Sequence, residues 1–330
     1  MTSRFVRRFY LAGAMIAAAA AAWTYAARAD EPAKNNAPAD TKPVAAKKKD
    51  TSDDGFLRVL RDKNDRPLEM QTAIVRYSKP GDKSGLHVDL IGAVHIGDAA
   101  YYARLNKQFK RYDALLYELV APEEHRVPDP KKGGSSHPIG MMQKGLKEML
   151  ELAFQLDCID YRKPNFVHAD MSPDEFSKSM EDRGESIWTM IFRAMGQSIA
   201  TQSKGGTNDM QLLMALFDPN RAMALKRAMA EQFEDLEQAT GIFGGPEGST
   251  IITERNKVAL DVLKQEIAAG KKNLGIFYGA AHLPDMEKRL ESDFGLKRRR
   301  VTWITAWDLS GKPAKESAPK SGRGGKACSG

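Results

Sequence analysis

Cysteine is scarce in this chain, which has only Cys158 and Cys328 among 330 residues. Two cysteines exclude the dense disulfide framework of small secreted domains. No second Cys or His stands beside Cys158 at the short spacing of a zinc site, so we expect Cys158 to be a buried apolar residue. Long apolar runs are also missing after the first 29 residues, and no later segment is predicted to cross a membrane.

Several catalytic motifs are absent as well. The sequence contains no G-x-S-x-G, no P-loop and no H-E-x-x-H. Their absence disfavours a serine-hydrolase elbow, a Walker-type nucleotide site and the commonest zinc-protease helix.

The net charge of +7 comes from the two ends of the chain, and residues 55–310 are about neutral. A domain that binds nucleic acid normally carries a basic patch, so we expect no nucleic-acid partner.

Both ends of the chain differ in composition from the rest. Residues 1–29 read as a signal peptide, because arginines precede an Ala-rich apolar stretch that ends in an A-x-A site. This predicts a secreted or periplasmic protein, cleaved near Ala29-Asp30 and without a stable membrane span afterwards; an uncleaved anchor is the alternative. Residues 30–54 are predicted to be a disordered linker and residues 311–330 a disordered basic tail, which leaves a domain of residues 55–310.

Two strand-like runs end in the same motif. Residues 86–98, LHVDLIGAVHIGD, and residues 274–285, LGIFYGAAHLPD, both read as an apolar strand that ends in Gly-Ala-x-His. A helix and a further strand follow each run, which favours an α/β (α+β) fold with a mixed β-sheet built from two pseudo-repeated strand-GxxH-helix-strand units. Between the units lies a Met-rich helical region, at about residues 139–245. It is predicted either to cap the site or to fill the core.

Helical spacing and capping residues predict the individual helices. In order, they are Ala99–Arg111, Met141–Leu156, a helix that starts at Ser172-Pro173-Asp174-Glu175, Ser186–Thr201, Asn208–Phe217, Arg221–Thr240, Ser249–Ala269 and Pro284–Asp293. Asp98 is predicted at the N-cap of the first helix, and Tyr102, Leu105 and Phe109 give that helix one apolar face. Ser172 is predicted to cap the helix that follows it, in the spacing of a capping box with Glu175.

The best candidates for chemistry stand where predicted strands end. His95 and His282 occupy matched strand ends, the place where open α/β sheets bind ligands. A neutral imidazole there can bind a metal or act as a general base. Glu118 interrupts the apolar strand at residues 113–120 and needs a partner, hydrogen bonds or a metal if that strand is buried. His168 and Asp170 end another short strand, and for them we expect structural or polar-network roles.

Arg255 is the fourth candidate. It projects into the apolar stripe of the predicted helix 249–269, where a guanidinium needs a carboxylate, a carbonyl or a substrate oxygen. Glu266 falls on the same stripe, so a structural ion pair between the two is the alternative to a role in the site.

Taken in chain order, His95, Glu118, Arg255 and His282 with their neighbours resemble the TraB/PrgY/GumN superfamily, which includes the secreted TIKI metalloproteases. The resemblance covers roughly residues 56–308, although Asn256 replaces the Asp that is more usual after the Arg. Relatives include proposed metal-dependent peptidases, esterase-like hydrolases, pheromone-shutdown proteins and haem-binding lipoproteins. The motifs that carry it are Gly92-Ala93-Val94-His95, Glu118, Glu254-Arg255-Asn256 and Gly279-Ala280-Ala281-His282.

From the residues and the resemblance together we expect a secreted or periplasmic metal-dependent hydrolase that acts on a peptide or protein substrate. His95, His282 and Glu118 would hold a divalent metal ion, with Mn, Co and Zn all compatible with such ligands. The ion would polarise a carbonyl and activate its bound water, and Arg255 would stabilise the oxyanion or orient the substrate. The alternatives are a metal-independent, esterase-like hydrolase and a non-enzymatic protein that sequesters a peptide or a haem.

Overall fold

A computed structural model of the protein describes residues 55–127, 152–185, 214–215, 217–238 and 248–311. In these residues a mixed seven-stranded sheet is packed with helices, which confirms the predicted α/β class. The strands are β1 (Leu57–Arg61), β2 (Pro67–Ser78), β3 (His87–Ala93), β4 (Ile96–Gly97), β5 (Ala114–Tyr117), β6 (Ala153–Phe154), β7 (Phe166–His168), β8 (Asn273–Gly279) and β9 (Lys297–Asp308). The helices are α1 (Ala99–Phe109), α2 (Gln155–Cys158), α3 (Pro173–Asp182), α4 (Arg221–Gln238), α5 (Arg255–Ala268) and α6 (Leu283–Ser292).

The sheet has an antiparallel half and a parallel half. Its order is β1-β2-β3-β8-β5-β7, and β9 pairs with β2. Strand β2 runs antiparallel to β1, β3 and β9, whereas β3, β8, β5 and β7 run parallel to one another. The carboxyl ends of these four parallel strands therefore meet at one edge of the sheet.

The parallel strands are buried because helices pack against the sheet. All four residues of β5 are buried, as are most residues of β3 and β8, which is the continuous apolar pattern expected of parallel strands. The predicted apolar face of α1 is confirmed, because Tyr102, Leu105 and Phe109 are all fully buried. The ring of Phe109 lies 4.8 Å from the ring of Phe277 on β8, so α1 is anchored directly to the centre of the parallel half.

Of two predicted N-cap residues, Ser172 caps its helix and Asp98 does not. Ser172 caps α3 as expected, in a full capping box in which the Glu175 backbone N–H donates to Ser172 Oγ over 3.2 Å and the Ser172 N–H donates to Glu175 Oε2 over 2.8 Å. Asp98 stands at the N-cap of α1, but its side chain does not cap the helix. Its carboxylate accepts instead from the Asp308 N–H at 2.6 Å and from Lys226 Nζ at 3.0 Å, so it joins the end of β9 to α4.

The predicted helix Met141–Leu156 is wrong at its end. Residues 141–151 lie outside the described part of the chain, but Ala153 and Phe154 form strand β6, which pairs antiparallel with β4. The backbone here bonds to the loop after β3, where the Gln155 N–H donates to the His95 carbonyl over 2.9 Å. Tertiary pairing outweighs the local helical pattern at this point.

Cys158 is buried, as predicted, but it is disulfide-bonded, so the expectation of a purely apolar role is wrong. None of the described helices has the length and apolar character needed to cross a membrane. The predicted signal peptide, the linker, nearly all of the predicted basic tail and much of the Met-rich region fall outside the described residues.

Candidate functional site

The candidate residues lie at the common edge where the four parallel strands end. His95 follows β3, Glu118 follows β5, Asp170 follows β7 and His282 follows β8. Arg255 is the first residue of α5 and directly follows a turn of π-helix at Thr250–Glu254. Single π-helical turns inside helices are frequent at functional sites. The topology of the sheet thus brings together residues that lie far apart in the sequence.

Arg255 is the centre of this group. Its guanidinium binds Asp170 through two hydrogen bonds, Nε to Oδ1 at 2.9 Å and Nη2 to Oδ2 at 2.6 Å. Nη2 also donates to Glu118 Oε1 at 2.8 Å. The alternative pairing of Arg255 with Glu266 is wrong, because Glu266 forms its ion pair with Lys271.

One nitrogen of Arg255 keeps donor capacity. Within the described part of the chain, its Nη1 makes only two long contacts, to the Ile251 carbonyl and to His282 Nε2, both at 3.5 Å. Interactions at this distance are weak, so the N–H groups of Nη1 remain available to a stronger acceptor that enters the site. With Nε and Nη2 held by carboxylates, Nη1 is the nitrogen that is free to meet a substrate oxygen.

Glu118 is ionised despite being largely buried. Burial by itself raises the pKa of a carboxyl group, but Arg255, then His282 and His95 nearby, and the hydrogen bond from the Gly279 N–H at 2.7 Å together outweigh it. The pKa of Glu118 therefore lies well below its ordinary value. The two carboxylates in turn outweigh the effect of burial on Arg255 and hold its pKa well above its ordinary value.

The proton of His282 is assigned by a chain of hydrogen bonds. Asn256 Nδ2 donates to the His282 carbonyl at 3.0 Å and to Asp285 Oδ2 at 2.8 Å, which fixes the orientation of the amide. Asn256 Oδ1 is then an acceptor, and it lies 2.7 Å from His282 Nδ1. His282 must carry its proton on Nδ1, so in the neutral ring Nε2 is unprotonated.

The environment of His282 keeps the ring neutral. It is only 4% exposed, and burial lowers the pKa of His282 to about 4. The charge of Arg255 acts in the same direction, and the carboxylate of Glu118 opposes it. The unprotonated Nε2 lies 3.5 Å from Glu118 Oε1 and 3.5 Å from Arg255 Nη1. The site therefore holds a neutral imidazole whose lone pair faces a cation and an anion.

His95 occupies a different environment from His282. It is exposed, and its side chain makes no hydrogen bond with any other residue in the described ranges. Its ring nevertheless lies near enough to Glu118 and His282 to contribute to the pKa shifts of both, so His95 belongs to the same edge of the sheet. The two strands pair with Ala93 opposite Gly279, so the two Gly-Ala-x-His motifs are offset by one residue.

The predicted ligands do not form a metal centre in this arrangement. Among the residues that the structure describes, no three His, Cys, Asp or Glu side chains stand close enough together to hold a metal ion. Glu118 and His282 do come together, but the guanidinium of Arg255 contacts both and would repel a divalent cation placed between them. The set of His95, His282 and Glu118 therefore does not fit a metal here, and metal binding stays a prediction.

Asp170 has the polar-network role that the sequence predicted for it, and its partner is Arg255. It is 4% exposed, and both of its carboxylate oxygens accept hydrogen bonds from Arg255. Hydrogen bonds beside Asp170 join the ends of neighbouring strands. His168 Nε2 on β7 donates to the Leu119 carbonyl after β5 at 2.7 Å, and the Tyr278 hydroxyl on β8 donates to the Ala169 carbonyl after β7. Two features of the sequence point to this pairing. The inward-facing Arg255 requires an acid, and Asp170 directly follows a short apolar strand.

Comparison with known proteins gave no match to a family model, a curated protein or a solved structure. Function is therefore inferred from the arrangement of these side chains.

Proposed function

We propose that the protein is a hydrolase that cleaves peptide or ester bonds at the carboxyl ends of β3, β8, β5 and β7 without a metal ion. The observation that carries this proposal is the protonation state of His282. Its Nδ1–H is held by Asn256, its Nε2 is unprotonated, and Arg255 Nη1 lies 3.5 Å from that nitrogen. A base and an oxyanion donor thus stand side by side.

The proposed reaction begins with a water molecule next to His282 Nε2. Nε2 takes a proton from the water while the water oxygen attacks the carbonyl carbon of the substrate. The carbonyl oxygen then gains the negative charge. Arg255 Nη1 donates to that oxygen, while Asp170 and Glu118 hold the rest of the guanidinium in place. When the carbon–nitrogen or carbon–oxygen bond breaks, the leaving group takes the proton back from Nε2.

Glu118 has a second part in this scheme. Its Oε1 lies 3.5 Å from His282 Nε2, so it stabilises the imidazolium that forms when the base takes its proton. Asn256 keeps accepting from Nδ1–H and so holds the ring in its orientation throughout. The predicted signal peptide would place this reaction outside the cytoplasm, and exposed His95 would stand at the entrance of the site.

The test is a screen of purified protein against peptides and nitrophenyl esters, before and after thorough chelation. We expect hydrolysis that survives chelation and falls by a factor of about 100 or more in the His282→Gln and Arg255→Lys variants. The exposed His125→Gln variant is the matched control and should keep full activity. Lack of turnover on any substrate, or full activity in His282→Gln, would contradict the proposal.

One observation favours a metal-dependent version as a second candidate. Histidines that bind metals usually have their other ring nitrogen held by a hydrogen bond, as Asn256 holds Nδ1 of His282. This version requires Arg255 to turn away from Glu118. Metal analysis of the protein beside the His95→Ala and His282→Ala variants tests it: stoichiometric Mn, Co or Zn that is lost in both variants supports it, and equal occupancy in all three proteins rules it out.

A further inference from the structure

A pocket of about 290 Å³ lies between α1 and the sheet. Its floor is one face of β3, β2 and β9, where Arg76 pairs with Asp89 on one side and with Arg300 on the other. The end of α1 and the turn after it close the opposite wall. The polar residues that line it include Arg76, Asp89, Arg104, Gln108, Arg111 and Arg300.

Asp89 is the single acid among the described residues that line this pocket, and its charge is already neutralised. Asp89 is 1% exposed and accepts two hydrogen bonds from Arg76, Nε to Oδ1 at 2.7 Å and Nη2 to Oδ2 at 2.9 Å. The Tyr112 hydroxyl adds a third at 2.9 Å. Asp89 therefore fixes the position of the Arg76 guanidinium, and the Nη1 of Arg76 is not used in this pair.

The other arginines of the pocket are uncompensated. Arg104, Arg111 and Arg300 are exposed, and none of their guanidinium groups makes a hydrogen bond or ion pair with any residue in the described ranges. They come from two different parts of the fold: Arg104 and Arg111 from α1 and the turn after it, and Arg300 from β9. Positive charges that converge in this way repel one another, and an anion bound between them removes that cost.

We propose that this pocket binds a phosphoryl group, either as free phosphate or at the end of a small phosphate ester. Guanidinium groups form paired hydrogen bonds to phosphate oxygens, and several of them together match a dianion better than a single carboxylate. Thr302 on β9 lines the same space, and its side chain carries a neutral hydroxyl donor.

The pocket is separate from the candidate hydrolase site. Asp89 pairs across the sheet with Gly275, whereas the Glu118 carboxylate is held by Gly279 at the carboxyl end of the same strand. At the rise of a β-strand this separation is about 13 Å. The phosphoryl site therefore does not depend on the proposed hydrolysis.

The experiment is calorimetric titration of the full chain with inorganic phosphate and with a soluble phosphate monoester, at about 0.15 M salt. Arg104→Gln and Arg300→Gln should each weaken binding by roughly tenfold to a hundredfold. The matched control is Arg299→Gln, because Arg299 is the exposed neighbour of Arg300 on β9 and bonds to Ser78 Oγ at 3.1 Å outside the pocket.

The outcomes separate a built site from general charge attraction. Saturable binding of either phosphate compound that is weakened in the Arg104→Gln and Arg300→Gln variants but kept in the Arg299→Gln variant supports the proposal. A stronger response to the monoester identifies an ester as the ligand, and an equal response identifies the phosphoryl group alone. The proposal is overturned by equal losses in the Arg299→Gln and Arg300→Gln variants, by equally tight binding of acetate, or by the absence of saturable binding.

Discussion

Asp170 and Arg255 lie 85 positions apart in the chain and form an ion pair with two hydrogen bonds, of 2.9 and 2.6 Å. The Asp170 side chain is completely buried, and the side chain of Arg255 is nearly so. Charges are costly to bury unless each is paired and hydrogen-bonded, and here each is. This pair joins the end of β7 to the start of α5 and so sets the position of the guanidinium in the site.

Removing the charge of Asp170 should destabilise the fold. The Asp170→Asn variant leaves Arg255 with Glu118 as its remaining carboxylate, so we expect a loss of about 3 kcal/mol, at the low end of the cost of breaking a buried ion pair. The measurement is the free energy of unfolding in urea. Asp261→Asn is the control, because Asp261 forms an exposed pair with Lys264 and should change stability by less than about 1 kcal/mol. If both variants lost a similar free energy of unfolding, the buried pair would contribute no more to stability than the exposed pair.

Stability should fall as pH decreases from about 6.5 to about 4. The pKa of His282 is about 4 in the folded protein against an ordinary value of 6.5, so in this window the unfolded chain binds a proton that the folded chain does not. The linkage corresponds to a loss of roughly 3 kcal/mol, with no further loss from His282 below pH 4. The His282→Gln variant should lack this part of the pH dependence, whereas the His125→Gln variant should keep it. A slope unchanged in His282→Gln would contradict the lowered pKa.

The tautomer of His282 can be observed directly. At neutral pH, nitrogen NMR of the imidazole should show a proton on Nδ1 and none on Nε2, because Asn256 Oδ1 accepts at 2.7 Å. In the Asn256→Ala variant that acceptor is lost, and we expect a mixture of tautomers. Replacing Asn256 by Asp should instead keep the proton on Nδ1 and raise the pKa of His282, because a carboxylate favours the imidazolium. A ring protonated mainly on Nε2 in the unaltered protein would contradict the assigned hydrogen bonds.

The close packing of β8 against its neighbours requires glycine at position 275. A Cβ atom there would lie 2.7 Å from Leu115 Cδ1 and 3.2 Å from Ile91 Cδ1. Gly275→Ala should therefore cost about 1–3 kcal/mol in the free energy of unfolding. Because the closest contact is with the end of one side chain, the double variant with Leu115→Ala should lose less stability than the sum of the two single changes. Additive losses would show that the crowding does not arise at Leu115.

Much of the local structure could be predicted from the sequence. The capping box at Ser172 and the apolar face of α1 depend on neighbours within a few positions, and both are confirmed. The inward projection of Arg255 follows from helical spacing alone, and the side chain is indeed buried. The Ala153–Phe154 strand was missed because its pairing partner, β4, lies more than fifty residues earlier in the chain.

The sequence by itself determined that Glu118 and Arg255 would need partners, because a charged group inside an apolar strand or stripe cannot remain unpaired. Only the tertiary structure decided that they pair with each other, across 137 positions, and that Asp170 completes the pair. It also decided the fates of the two matched histidines. The chain after β3 enters β4, which pairs with β6 outside the main sheet, and His95 is exposed. The chain after β8 leads into α6, and His282 is buried against Asn256. The shared Gly-Ala-x-His motif places a histidine just after each strand. The burial and the protonation of that histidine depend on which other parts of the chain pack against it.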